Sequence, residues 1–250
     1  IERHGMNPIQ EFRLLAEYNR LIKLVCPLIV FGYTIKPNIY GAMAAKAAHI
    51  PFVANITGLG TAVENNGVKQ KFILLLYKIA FTDIQRIFFQ NKENMRFFSK
   101  QRIGISKHIL LPGSGVNLNK YQVTSFLPCE NGKEGEPVKF AFISRIMEEK
   151  GINQYLIAAE KIRKKYPNTE FHVCGFCEDE YEGRLQELHN KGTVIYHGMI
   201  RDVAGFMSKM HCIVHPTYYP EGLSNVLLEA SACGRPIITT DRPGCREVLD

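Results

Sequence analysis

The 250-residue sequence contains no tryptophan, and none of its apolar runs reaches the roughly 18 residues that a membrane-spanning helix requires. It has no arginine-rich run, RNP-like aromatic string or zinc-finger spacing, which sets nucleic acid aside as a partner. Its 12 prolines and 20 glycines are scattered, leaving no low-complexity tract, and there is no internal repeat. No Asp-x-Asp pair of the kind that holds a divalent metal occurs, so no metal ligands are assigned. A secretory signal is missing, and so is an initiator methionine: the sequence starts at Ile1 and stops at Asp250 inside what reads as the start of a helix, as a piece of a longer chain would. The seven cysteines are an odd number in a chain too large to need disulfide staples, which fits reduced thiols in a cytosolic protein. Cys174 and Cys177 have the spacing of a redox pair, but an acidic stretch follows them where a helix should open, and a turn after a strand is the simpler reading.

What is present is ordinary globular composition, 46% hydrophobic and 22% charged, with a formal charge of +7 and a pI near 9.0. The charge suits anionic partners, either a membrane face or phosphorylated small molecules. Strand-like and helix-like patterns alternate along the chain. Helical spacing over Gln10–Lys23 is followed by the apolar run Pro27–Tyr33, which reads as a strand buried on both faces. The loop Thr34–Asn38 and an alanine-rich helix over Ile39–Ala48 come next. Then follow a strand over Pro51–Ile56, a helix over Val68–Ala80, a strand over Arg86–Gln90, a short helix from Asn94 and a strand over His108–Leu111. Between Asn117 and Pro137 the pattern lapses, and turn residues mark a linker. It resumes with strands over Val138–Ile143, Glu170–Val173, Val194–Tyr196, Cys212–His215 and Pro236–Thr239. Helices over Ile152–Tyr166, Tyr181–Lys191, Val203–Met210 and Ser224–Ala232 separate them. The expected class is α/β, with two Rossmann-like domains whose parallel sheets face a cleft: residues 1–127, a linker over 128–137, and 138–250. Loops after the strands are where ligands sit in such sheets.

The richest loop runs from His215 to Glu229. Gly222 lets the backbone approach a ligand closely, and the N–H groups of Leu223, Ser224 and Asn225 open a helix whose dipole favours an anion. Glu221 precedes that helix and Glu229 lies two turns inside it, where a carboxylate among Val226, Leu227 and Leu228 is costly without a role. Carboxylates suit sugar hydroxyls, because each accepts more than one hydrogen bond. The bland alternative makes Ser224 a plain N-cap and Glu229 a surface residue. A second loop, Ser144–Gly151, offers Arg145 and Lys150, a guanidinium and an ammonium suited to a diphosphate. The bland reading pairs them with Glu148 and Glu149.

The Glu-x7-Glu pattern (Glu221, Glu229), the SRIMEEKG loop and the closing PIITTDRPGCREV resemble family 4 glycosyltransferases of the GT-B fold. GYTIKPNIYG, ANITGLGTA, FFQN and LPGSGVN resemble a subgroup that builds bacterial capsule, O-antigen and related lipid-linked glycans. The resemblance covers essentially the whole chain. It implies metal-independent, retaining transfer of a sugar, an N-acetylhexosamine being one candidate, from a UDP-sugar donor to a lipid-linked or polysaccharide acceptor, with no other cofactor. Arg145, Lys150 and the helix start would stabilise the departing diphosphate, Glu229 would hold the ribose, and Glu221, with the backbone of Gly222, Leu223, Ser224 and Asn225, the donor sugar. Gly175 and the loop Gly198–Ile200 would lie beside the base. Tyr33, Lys36, Thr57 and Gly58 fall on the acceptor side. Tyr33 and Thr57 stand where many relatives carry a histidine, so no histidine-assisted step is assigned. The alternatives are a UDP-sugar 2-epimerase of the same fold and a non-catalytic sugar-nucleotide-binding scaffold subunit. The expected location is cytoplasmic and peripheral to the inner face of the plasma membrane. The basic, apolar segment Lys69–Phe81 is either an interfacial helix on an anionic membrane or a helix packed in the core.

Overall fold

The computed structural model describes residues 7–60, 63, 67–125, 136–177 and 179–249. The chain divides into two compact units, Ile1–Ser114 with Pro220–Leu223, and Gly115–Tyr219 with Ser224–Asp250.

The first unit is a four-stranded parallel sheet in the order β1 (Val30–Tyr33), β2 (Phe52–Ile56), β3 (Arg86–Phe89), β4 (His108–Leu110). Among the described residues its helices include α1 (Pro8–Val25), α2 (Ile35–Ala47), α3 (Val68–Ala80) and α4 (Lys92–Lys100). Local chemistry sets their starts. Asn7 accepts a hydrogen bond from the Ile9 amide with Pro8 at the first helical position, and Asn91 accepts from the Asn94 amide. Helix α2 opens four residues earlier than the alanine pattern suggests. Pro37 lies within its first turn, where a missing N–H costs nothing. The core joins Ile39, Ala44, Phe52, Ile56, Tyr77, Ile87, Phe89 and Phe98. One expectation is corrected here. The Pro27–Tyr33 run is not a strand buried on both faces; only its last four residues pair, on β2 alone, leaving Phe31 56% and Tyr33 53% exposed.

The second unit is a five-stranded parallel sheet in the order β7 (Ile195–Tyr196), β6 (Thr169–Cys174), β5 (Val138–Ile143), β8 (Cys212–His215), β9 (Ile237–Thr239). Its helices are α5 (Ile152–Lys165), α6 (Asp179–Asn190), α7 (Val203–Met207) and α8 (Asn225–Ala232). Each face of the sheet has its own core. Phe142 on β5 joins Tyr155, Leu156, Phe171, Val173 and Leu185, while its neighbour Ala141 joins Met207, Met210, Ile213, Ala230 and Cys233. That period of two, apolar on both faces, is the signature of a covered parallel sheet. The chain winds from β5 out to β7, then crosses back to β8 and β9. The direction of winding switches between β5 and β8, and the carboxyl ends of the strands at such a switch are where sheets of this kind take ligands.

The division after Ser114 differs from the expected one near 127. Tyr121 is buried in the second unit's core beside Ala230 and Cys233. Arg235, 3% exposed, donates to the Thr124 carbonyl at 2.9 Å and to the Thr124 hydroxyl. The expected linker at 128–137 falls largely outside the described residues.

Candidate functional site

The loops after β5 and β8 are bound to each other at the switch point. The Glu149 carbonyl accepts the amides of Tyr218 (2.9 Å) and Tyr219 (3.0 Å) and the Thr217 hydroxyl (3.3 Å). Gly151 has φ of +82°, and a Cβ there would stand 2.1 Å from the Pro216 carbonyl oxygen, so only glycine permits this approach. The result brings two cations to one ring. The Arg145 guanidinium carbon lies 5.5 Å and the Lys150 ammonium 5.0 Å from the centre of Tyr219. Lys150 is only 8% exposed, an uncommon place for an ammonium group. Glu149 thus serves this loop through its main chain, joining it to the β8 loop.

Helix α8 supplies the carboxylate. Glu229 is half-buried, and burial raises its pKa above the usual carboxylate value, against the hydrogen bond from the Tyr121 hydroxyl and the charge of Lys120, both of which lower it. Tyr121 was not singled out from the sequence. Its signal lay in the turn before it, where the Asn117 side chain accepts the amides of Asn119 (3.0 Å) and Lys120 (3.3 Å) and thereby aims the next residue inward. Ser224 caps α8 by position, yet its hydroxyl turns to His215 Nε2 at 3.2 Å rather than to the helix. Two of the three amides expected to await an anion are occupied: Ser224 N–H donates to the Gly244 carbonyl (2.8 Å) and Leu223 N–H to Gln90 Oε1 (3.2 Å). That part of the sequence reading is corrected. The cationic groups brought together at this edge are Arg145 and Lys150.

On the far side of β5 the floor is built from glycine. Gly175 has φ of +145°, and a Cβ on it would lie 1.6 Å from the Ser144 carbonyl oxygen. Its amide donates to the Gly198 carbonyl at 2.9 Å. Gly175 and Gly198 are therefore neighbours next to the Arg145 loop, and Ile200 follows two residues on. The Cys174–Cys177 pair is not poised for redox work. Burial pushes the Cys174 thiol up to about 12, away from the reactive thiolate.

Glu221, Gly222, Tyr33, Lys36, Thr57 and Gly58 belong to the first unit. Within it, Gly222 N–H donates to the Thr57 carbonyl at 2.8 Å, next to Gly58, and the Asn91 side chain donates to the carbonyls of Gly222 (2.6 Å) and Glu221 (3.2 Å). Tyr33 ends β1 exposed. Lys36 pairs with Glu11 of α1 at 2.8 Å.

Residues 125–250 match Glycosyl transferases group 1, and residues 1–91 match Glycosyl transferase 4-like. The chain is 27% identical to the N,N'-diacetylbacillosaminyl-diphospho-undecaprenol alpha-1,3-N-acetylgalactosaminyltransferase of Campylobacter jejuni, over 99% of this chain and 68% of that one. It is 26% identical to the capsular polysaccharide biosynthesis glycosyltransferase CapM of Staphylococcus aureus, over 96% of this chain and 67% of that one. The crystal structure of Anabaena HepE in complex with UDP and glucose superposes with a TM-score of 0.76 at 17% identity, covering 94% of this chain and 65% of that one. The chain spans about two thirds of the length of these relatives. It belongs to the group 1 glycosyl transferases, family 4 enzymes of the GT-B fold.

Proposed function

We propose that this protein transfers a sugar from a UDP-sugar, with retention and without a metal, to a lipid-linked or polysaccharide acceptor in cell-surface glycan synthesis. The observation that carries the reading is the convergence of Arg145 and Lys150 on Tyr219 at the β5/β8 switch point. Two fixed cations there suit a diphosphate, and their charge stabilises it most as it departs with the bond electrons. The donor pose follows from the same edge. Glu229, held by Tyr121, accepts the ribose hydroxyls, and Gly175 with the Gly198–Ile200 loop receives the base. Glu221, Gly222 and the start of α8 at Leu223, Ser224 and Asn225 are assigned to the donor sugar, and Tyr33, Lys36, Thr57 and Gly58 to the acceptor. The relatives' printed names, an N-acetylgalactosaminyltransferase on a diphospho-undecaprenol and a capsule enzyme, support an N-acetylhexosamine donor and a lipid-linked or glycan acceptor.

The test is release of UDP from a panel of UDP-sugars in the presence of a bacterial membrane extract. Extract-dependent release is expected. UDP binding without release from any donor would favour a scaffold subunit, and interconversion of the free UDP-sugar without an acceptor a 2-epimerase.

Helix α3 supports a peripheral membrane location. It is neither wholly buried nor wholly interfacial: Ile73, Leu74, Tyr77 and Ala80 face the core. Val68, Phe72, Leu75 and Ile79, spaced along the opposite stripe, are 85%, 47%, 52% and 51% exposed, with Lys69, Lys71 and Lys78 exposed around them. An apolar stripe rimmed by lysine fits the headgroup boundary of an anionic bilayer. No helix among the described residues is long and apolar enough to cross one. Phe72→Asp with Leu75→Asp should abolish co-sedimentation with phosphatidylglycerol vesicles while leaving UDP binding intact. Unchanged sedimentation would remove α3 from the membrane.

A further inference from the structure

A chain of three titratable side chains runs beneath the Gly198 loop and takes no part in the site described so far. His172 on β6 is 7% exposed. Its Nε2 lies 3.1 Å from Glu170 Oε2, and its Nδ1 lies 2.9 Å from Nε2 of His197, the first residue after β7. The two imidazoles stack with centroids 5.2 Å apart, and Phe206 of α7 closes edge-on over both, at 6.0 Å and 5.0 Å.

The carboxylate fixes the direction of the chain. Glu170 accepts, so His172 carries its proton on Nε2 and presents a bare Nδ1, which can only accept. His197 must then donate from Nε2. The backbone completes the brace: His197 N–H donates to the Val173 carbonyl at 2.9 Å, and the next carbonyl, that of Gly198, receives the Gly175 amide at 2.9 Å. The orientation of His197 therefore sets where the loop carrying Gly198 meets the glycine turn beside Ser144 and Arg145. That loop follows a parallel strand at the carboxyl edge of the sheet, the edge on which such folds bind ligands.

We propose that His197, held by His172 and Glu170, is a positioning residue for the nucleobase of the donor, and that protonation of both rings releases it and weakens nucleotide binding. The proposal rests on the reading of this edge as a nucleotide site. The first proton, taken from solvent, can be shared, because His197 can carry its own proton on Nδ1 and accept at Nε2; once both rings are protonated, His172 Nδ1–H and His197 Nε2–H face each other and the hydrogen bond is lost. A proton on His197 alone, at Nδ1, leaves the chain intact. The charges facing the pair are Glu170 on β6, which favours protonation of His172, Lys139 on β5, which opposes it, and His189 of α6, which opposes protonation of His197. Burial is the largest influence on both rings and holds both below the usual histidine value, so the braced form prevails at neutral pH.

The experiment is titration calorimetry of UDP into the protein between pH 8 and pH 5.5, for wild type, His197→Gln and His197→Ala. The outer phosphate of UDP also titrates in this range, but identically for all three. Gln keeps a donor for His172 and cannot itself be protonated. The expected result is that wild-type affinity falls about fivefold more than that of His197→Ala across the range. His197→Ala should bind several-fold more weakly at pH 8, and His197→Gln should recover most of that loss. Parallel pH profiles for wild type and His197→Ala, or wild-type affinity in His197→Ala at pH 8, would overturn the proposal. Wild-type protein that binds no UDP at any pH would overturn the nucleotide reading on which it stands, a distinguishable result.

Discussion

Glu229 is caught between opposing influences: burial drives it toward the neutral acid, while the Tyr121 hydroxyl and Lys120 hold it toward the carboxylate. A ribose needs the carboxylate, which offers acceptors to both hydroxyls. Removing the hydroxyl donor, in Tyr121→Phe, deletes one hydrogen bond to a charged group and leaves the ring packed. The loss is on the order of 1–2 kcal/mol, so UDP affinity should fall about fivefold to thirtyfold, more at pH 5 than at pH 8. Calorimetry at the two pH values checks this; equal affinity for the variant and wild type would mean that Tyr121 serves packing only. Arg145→Ala should act differently. A cation that stabilises the departing diphosphate contributes most in the transition state, so kcat should fall by roughly 10²–10³ while UDP binding falls far less. Comparison of steady-state rates with UDP affinity separates the two effects, and a loss confined to KM would make Arg145 a ground-state contact.

Elements were more legible in the sequence than their ends or their surroundings. Helix α3 and strands β5 and β8 lie at the bounds read from pattern, because apolar periodicity and flanking turn residues agreed there. The start of α2 was missed, because Pro37 looks like a breaker unless its place in the first turn is known. The exposure of β1 was missed, because a run of apolar residues reports strand formation and not the number of strand neighbours. Arg145 and Lys150 stand out in the sequence as cations in the loop after β5, and Glu229 as a costly charge among apolar residues of its helix. Tyr121, His172 and His197 do not, since each acts through a partner distant in sequence. The same holds for Arg235, whose guanidinium ties the segment at Thr124 and Ser125 to the end of α8 and reaches the Met210 carbonyl at 3.4 Å. Arg235→Ala removes these hydrogen bonds from a guanidinium that is 3% exposed, and should cost about 3 kcal/mol of stability, read as a shift of the urea midpoint. An unchanged midpoint would show that this brace carries no weight.

At the scale of the molecule, acid works against the fold through its histidines. The chain has eight, and burial holds three of them, His172, His197 and His211, below the ordinary value. The unfolded chain takes up protons on these three as pH drops through about 6.5, while the folded chain resists until its own lower values are reached. In that interval the unfolded state binds more protons, so stability falls as pH falls. Glu229 contributes with the opposite sign. Its raised folded value means that the folded state keeps a proton above about 4.5 where the unfolded chain has lost it, so its share falls as pH rises. Each group contributes at most about 1.4 kcal/mol per pH unit, and three histidines outweigh one glutamate, the more so because half-exposed His197 and Glu229 are both screened. The formal charge of +7 at neutral pH, growing as the pH falls, pushes the same way. The melting temperature should therefore hold between pH 8 and pH 7 and drop progressively from pH 6.5 to pH 5. In His172→Gln, which removes the titrating ring at the centre of the buried chain, the drop should be shallower even though the variant is less stable at pH 8. A melting temperature that rose on acidification, or a slope unchanged in His172→Gln, would show that these rings are already charged in the folded protein.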